Sequence, residues 1–240
     1  MTDNSTFGSL TAMYHTFGCK LNFAETSAIA AEFASRGIVR AGEGESPDII
    51  LINSCSVTEE ADKKCRQTVR SLHRRHPEAA IILTGCYAQL KPEEAASLEG
   101  VAVVAGNDKK GLILEYLDRW LADRAPRREV IPAKEIRRFT PSCSRGDRTR
   151  YFLKVQDGCD CWCTYCTIPA ARGRSRSATI SQLVGQAEKA AAEGGREIVI
   201  TGVNIGDFGK RGPDGLPAES REDFLGLVKA LDSVSGIERY

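Results

Sequence analysis

The sequence predicts an α/β protein in two parts. Short apolar runs alternate with stretches of helical periodicity as far as about Leu121, and such βαβα alternation builds a parallel sheet with helices on both faces. The apolar periodicity then fades between Pro126 and Arg150. From Tyr151 a strand, a helix and a second strand follow in order, which is the pattern of a βαβ unit.

MYHTF reads as the first strand, followed by a helix from about Asn22 to Arg36 that Gly37 stops. DIILIN is the second strand, and a helix over Glu59 to Arg75 ends before Pro77. AIILT, a short helix near Pro92 to Leu98, VAVVAG and a helix near Leu112 to Leu121 complete the first part. Residues 1–125 are therefore expected to form one domain, and residues 126–150, rich in Pro, Arg and Ser, a basic linker with one short strand in REVIP. In residues 151–240, YFLKVQ is a strand. Ile180, Leu183, Val184, Ala187, Ala190 and Ala191 mark one stripe of a helix. Gly194 and Gly195 end that helix, REIVITGV is the next strand, and a last helix spans about Asp223 to Leu231.

Composition bounds the function classes. A chain of 240 residues, 42% hydrophobic, can bury the core of one or two domains. It has no run of about 18 apolar residues to span a bilayer, and its polar start MTDNSTFGSL lacks the regions of a signal peptide. A cytoplasmic protein without a membrane partner is expected. The formal net charge of +1 hides a basic stretch in which Arg127, Arg128, Lys134, Arg137, Arg138, Arg145, Arg148 and Arg150 stand against three acids, a distribution that suits a polyanion partner. Nine cysteines, an odd number, argue against a disulfide framework and for metal binding.

Cys159, Cys163 and Cys166 stand at the spacing C-x3-C-x2-C in DGCDCWCTYCTIP. Three thiolates on a four-iron, four-sulfur cluster leave one iron open. Gly158 gives the loop freedom at its entrance, and Tyr165 sets an aromatic ring before the last ligand. Structural zinc is the alternative, although it prefers four ligands in paired knuckles and no second knuckle follows. This loop resembles the signature of radical S-adenosylmethionine (SAM) enzymes. A second set, Cys19 in TFGCKLN, Cys55 in LINSCSV and Cys86 in ILTGCYAQ, follows the first three strands. In a parallel sheet these positions share one edge, where a ligand crevice forms. The competing reading is three small buried residues at strand ends.

GCKLN, INSCSVTEEADKKCRQ, TGCYAQ, DGCDCWCTYCTIP and RGRSRS together resemble the methylthiotransferase family, with the wording most similar to the branch that acts on threonylcarbamoyladenosine in tRNA. The resemblance implies an amino-terminal Rossmann-like parallel-sheet domain with an auxiliary cluster, followed by the first part of a radical SAM (βα) partial barrel. It also implies that the later barrel units and a carboxyl-terminal RNA-binding domain are absent from these residues. Two 4Fe-4S clusters follow from it: a SAM-binding one on Cys159, Cys163 and Cys166, and an auxiliary one on Cys19, Cys55 and Cys86. The implied reaction adds a methylthio group at carbon 2 of N6-threonylcarbamoyladenosine at position 37 of tRNA, with SAM as cofactor. An unreactive C–H bond there calls for a radical, and cofactor chemistry supplies it. An electron donor and a sulfur source are further implied partners.

Basic residues suit such an RNA. Lys63, Lys64, Arg66, Arg70, Arg74 and Arg75 recur along one helix, and Arg172, Arg174 and Arg176 directly follow the cysteine loop, where phosphate contact is the favoured reading. Cys65 and Cys143 are read as passengers, Cys161 as a non-ligand inside the loop, and His15, His73 and His76 as packing or surface residues. Asn22 and Asn204 are neighbours of the cysteines without an assigned role. Two rivals stay open: the same chemistry on isopentenyladenosine in tRNA or on a ribosomal protein, and a non-catalytic metal module that binds RNA.

Overall fold

The computed structural model describes residues 10–145, 150–218 and 222–240; the polar start and Arg148 lie outside the described residues. The chain forms two compact units, Met1–Gly18 with Ile29–Ile131, and Cys19–Ala28 with Pro132–Tyr240.

The first unit is a parallel sheet with helices on both faces. It contains β1 (Thr11–Thr16), the second half of α1 (Lys20–Ser35), β2 (Val39–Arg40), β3 (Ile49–Ser54), α2 (Glu59–Arg75), β4 (Ala80–Gly85), α3 (Cys86–Leu90), α4 (Pro92–Ala96), β5 (Val101–Ala105), α5 (Ile113–Asp123) and β6 (Arg127–Glu129). The sheet order is β2-β1-β3-β4-β5-β6, and every neighbouring pair is parallel. β3, β4 and β5 are buried along their whole length, which is why they read as continuous apolar runs. Alternate residues still choose opposite faces: Ile49 and Leu51 pack with Phe33, Ile113 and Leu117, whereas Ile50 and Ile52 pack with Cys65, Val69 and Leu72. β6 lies within the stretch read as a linker, where Val103 pairs with Arg127.

Strand order turns back between β1 and β3, so the carboxyl ends of these strands flank the topological switch point, where open α/β sheets place ligands. α2 leaves that edge. The Thr58 hydroxyl caps it by accepting from the Ala61 amide at 3.2 Å, and Glu59, Glu60 and Asp62 in its first turn complement the helix dipole.

The second unit contains the first half of α1 and β7 (Ser142–Cys143), β8 (Tyr151–Lys154), β9 (Gln156–Asp157), α6 (Ile168–Arg172), β10 (Arg176–Ser177), α7 (Ile180–Ala192), β11 (Ile198–Thr201) and α8 (Phe224–Asp232). β8 and β11 pair in parallel with α7 between them in sequence, as the βαβ reading requires. β7 adds antiparallel on the other side of β8. Leu183, Ala187 and Ala190 of α7 and Leu227 and Leu231 of α8 share a core with Leu153 and Ile198. A capping box between Thr179 and Gln182 starts α7. No helix among the described residues is long and apolar enough to cross a membrane.

Leu72 fixes α2 on the sheet, and Thr58 fixes its start. Leu72→Ala is expected to lower the unfolding free energy by about 2–5 kcal/mol and Thr58→Ala by about 1 kcal/mol. Urea denaturation followed by circular dichroism gives both values.

Candidate metal centre

The cysteine loop leaves β9 at Asp157, runs through Cys159, Cys163 and Cys166, and enters α6. Its base is closed tightly. Gly158 has φ +72°, and a Cβ there would lie 2.1 Å from the Arg174 carbonyl oxygen, so only glycine fits this crossing. The Cys159 amide donates to the Gly173 carbonyl at 3.1 Å, and the Ser175 amide to Asp160 at 3.2 Å.

Beneath that crossing lies a group of buried charges. Asp157 Oδ1 accepts from Arg172 Nη1 at 2.9 Å and from the Gly158 amide at 2.8 Å, while Oδ2 meets Lys154 Nζ at 2.8 Å and Arg176 Nη2 at 3.2 Å. Glu25 Oε1 takes Lys154 Nζ at 2.7 Å and Arg172 Nη1 at 3.1 Å. Asn22 Oδ1 accepts from Arg172 Nη2 at 2.6 Å. Burial opposes the charged form of Asp157, yet Arg172, Lys154 and Arg176 hold its carboxyl well below the usual carboxylate range.

This arrangement corrects the expectation that Arg172 and Arg176 contact RNA phosphates. Each is only 1% exposed. Arg176 spends its remaining donors on the carbonyls of Arg138, Arg172 and Arg174. Both guanidinium groups are structural, and Arg174 alone of the three is exposed. Glu25, Lys154 and Asp157 had no assigned role in the sequence. The available signal was Lys154, a lone cation in the apolar strand YFLKVQ.

Gln156, fully buried, joins this base to the segment after β11. Its Nε2 donates to the Asp157 and Gly158 carbonyls and to Ser175 Oγ, and its Oε1 accepts from the Val203 and Asn204 amides at 2.9 and 2.8 Å. Asn204 in turn reaches Cys161 Sγ at 3.9 Å.

The tip of the loop is open. Cys163 is exposed, Cys159 and Cys166 are partly exposed, and all three are free thiols. Trp162 and Tyr165 beside them are 56% and 89% exposed. Trp162 carries a positive φ of 44°, an outlier for a bulky residue. The Cys161 thiol is raised by its hydrogen bond to Cys159 and by that neighbour's charge. Burial pushes the Cys65 and Cys143 thiols up to about 12, which suits apolar packing rather than ligation. Among the described residues, no three Cys, His, Asp or Glu side chains are gathered round one point as metal ligands. In donor chemistry, three accessible thiols on one short loop fit a cluster with an open iron.

In the first unit, Ser54 and Gly85 are opposite in register, so Cys55 and Cys86 follow at the carboxyl ends of adjacent strands. Gly85 allows this closeness, because a Cβ there would lie 2.3 Å from the Ser54 carbonyl oxygen. Cys55 is partly exposed and Cys86 buried. Cys19, exposed, stands three residues beyond β1 and opens the segment Cys19–Ala28 of the second unit.

Residues 11–106 match the family described as Uncharacterized protein family UPF0004. The threonylcarbamoyladenosine tRNA methylthiotransferase MtaB of Bacillus subtilis is 37% identical over 234 residues, covering 95% of this chain and 50% of the relative. Its namesake from Thermotoga maritima is 39% identical over 229 residues, 94% of this chain and 50% of the relative. The resemblance to the methylthiotransferase family is borne out. A tRNA-2-methylthio-N(6)-dimethylallyladenosine synthase of Clostridium perfringens is more distant, at 29% over 231 residues, 93% of this chain and 50% of the relative. The chain spans about half the length of the curated methylthiotransferases it matches.

Two outcomes follow from the site. Asp157→Ala takes the carboxylate from buried Arg176 and leaves Lys154 and Arg172 to share Glu25, and is expected to cost about 3–5 kcal/mol, whereas Arg174→Ala leaves stability within about 0.5 kcal/mol, both read from urea denaturation. Iodoacetamide at pH 8 is expected to label Cys163 and to spare Cys65 and Cys143 until the chain is unfolded. Peptide mass spectrometry gives the labelled positions.

Proposed function

We propose that this chain is part of a radical SAM tRNA methylthiotransferase that adds a methylthio group at carbon 2 of N6-threonylcarbamoyladenosine at position 37. The observation that carries the reading is the loop of three accessible thiols, Cys159, Cys163 and Cys166, on a base held by Asp157, Gly158 and Arg172. The relatives' names supply the reaction and the tRNA substrate. On this reading the parallel-sheet unit, which ends at Ile131 and carries Cys55 and Cys86, belongs to the auxiliary-cluster domain, and residues 151–240 to the first part of the radical SAM barrel. The enzyme works in the cytoplasm with an electron donor and a sulfur source.

Cys159, Cys163 and Cys166 would hold a 4Fe-4S cluster that, with SAM bound, supplies the radical chemistry an aromatic C–H bond demands. Cys19, Cys55 and Cys86 would hold the auxiliary cluster. The protein's own contribution at the first loop is placement. The Asp157 and Arg172 pair fixes where the loop begins and ends, Gln156 fixes the Val203–Asn204 segment against it, and Gly158 keeps the crossing narrow. Positions held this firmly matter because a shift of about 1 Å can cost a large factor in rate.

Iron and acid-labile sulfide, measured per chain after anaerobic reconstitution, test the reading. About eight irons in the wild type and about four after replacing Cys19, Cys55 and Cys86 by alanine are expected. About four in both would remove the auxiliary cluster, and zinc with little iron would favour the metal-module rival. Nucleoside mass analysis of tRNA from a deletion strain separates the substrates: loss of the methylthio group from isopentenyladenosine in place of threonylcarbamoyladenosine would overturn the branch.

A further inference from the structure

With Arg172 and Arg176 buried, the phosphate contacts that an RNA partner requires must come from cations that solvent can reach. α2 offers a continuous set. Lys63, Arg70 and Arg74 lie at i, i+7 and i+11, one stripe of a 3.6-residue helix, opposite the buried Cys65, Val69 and Leu72. All three are exposed, as are Lys64 and Arg75 on the flank. Acids are confined to the first turn, where Asp62 is buried and paired with Lys91 at 2.9 Å. Arg66, on the other flank, is paired with Glu94 at 3.0 Å. Among the described residues, by contrast, no ion pair engages Lys63, Lys64, Arg70 or Arg74.

We propose that this outward stripe of α2 is a track for the phosphates of an RNA backbone. The inference rests on the tRNA reading above and adds a surface to it. From Lys63 to Arg74 the helix rises about 16 Å, a length over which a nucleic-acid strand presents several phosphates. Gln67 and Ser71, polar and on the same side, can add hydrogen bonds to phosphate or sugar. The stripe carries no large exposed apolar side chain, so it lacks the aromatic or aliphatic anchors that form the core of a protein interface. Thr58 starts α2 three residues after Cys55, so the stripe leads away from the cysteine edge of the same sheet. A backbone bound along it makes sequence-independent contacts, which position the RNA and leave base recognition to other groups.

The test uses the 240-residue chain and an unmodified tRNA transcript, with affinity measured by fluorescence anisotropy across a salt series. Combined Lys63→Gln, Arg70→Gln and Arg74→Gln substitution is expected to weaken binding about ten-fold or more near 0.1 M salt. The slope of log affinity against log salt should become shallower by about 2. A control with the same charge change at exposed Lys189, Arg196 and Lys229 should retain wild-type affinity and slope. Circular dichroism of both triple variants should match the wild type, since every substituted side chain is exposed. Equal binding by the two variants would overturn the α2 assignment and leave the tRNA reading standing. Absence of RNA binding by the wild type would overturn it as well, while the nucleoside analysis would still decide the tRNA reading by itself. Binding of polyglutamate with the same affinity and salt slope would reassign the stripe to acidic polypeptides.

Discussion

The carboxylate of Asp157 is the constraint on which the cysteine loop depends. Three cations, Lys154, Arg172 and Arg176, are almost completely removed from water around it. Removing a cation from water costs several kcal/mol unless opposite charge and hydrogen bonds replace the hydration. Asp157 and Glu25 provide that replacement, and the backbone carbonyls of Arg138, Arg172 and Arg174 take the donors that remain. Because Asp157 immediately precedes the loop and Arg172 ends α6 after it, satisfying the charges also sets the distance between the two ends of the loop. A firm base with an exposed tip follows, which is what a cofactor-bearing loop needs if the ligands are to be held by a supporting shell.

In the first unit the same end is reached without charge. The carboxyl edge of the parallel sheet is built from small polar residues whose hydrogen bonds run sideways to the next strand. The Ser54 hydroxyl donates to the Thr84 carbonyl, and the Thr84 hydroxyl donates to the Ala105 carbonyl at 2.8 Å. Gly85 removes the one Cβ that would push β3 and β4 apart at this point. Cys55 and Cys86 are thus set by strand register, a property of the whole sheet, whereas the second-unit loop is set by a local charge cluster. The two thiol-bearing regions therefore answer to different perturbations, core packing in one case and charge removal in the other.

How much of this was legible follows from the range of each interaction. α2 agrees with its expected bounds at both ends because Thr58, the acidic first turn and Pro77 are local signals. β3, β4, β5 and α7 were legible for the same reason, their burial being written in consecutive residues. β2 is only two residues long, and α3 and α6 only five each, too short to show a period. The charge cluster is a different case. Glu25 is 129 residues from Lys154 and 147 from Arg172, so no window of sequence contains both partners. RGRSRS accordingly reads as a surface run, and only the fold shows that its first and third arginines are interior groups.

Cysteine and arginine each take two roles here, and environment rather than residue type divides them. Cys65 and Cys143 lie among apolar side chains that disfavour the thiolate, so they behave as small hydrophobes. Cys159, Cys163 and Cys166 are reachable from solvent, and thiolates that form there can be neutralised by a bound metal. Arginine divides the same way. Arg172 and Arg176 exhaust their donors inside the protein, whereas Arg70 and Arg74 point their whole charge outward from a helix whose opposite side is core. A count of basic residues cannot separate the groups that build a site from those left to meet a partner. Burial separates them: the run after the cysteines keeps two of its three arginines inside, while the outer face of α2 leaves its cations in solvent.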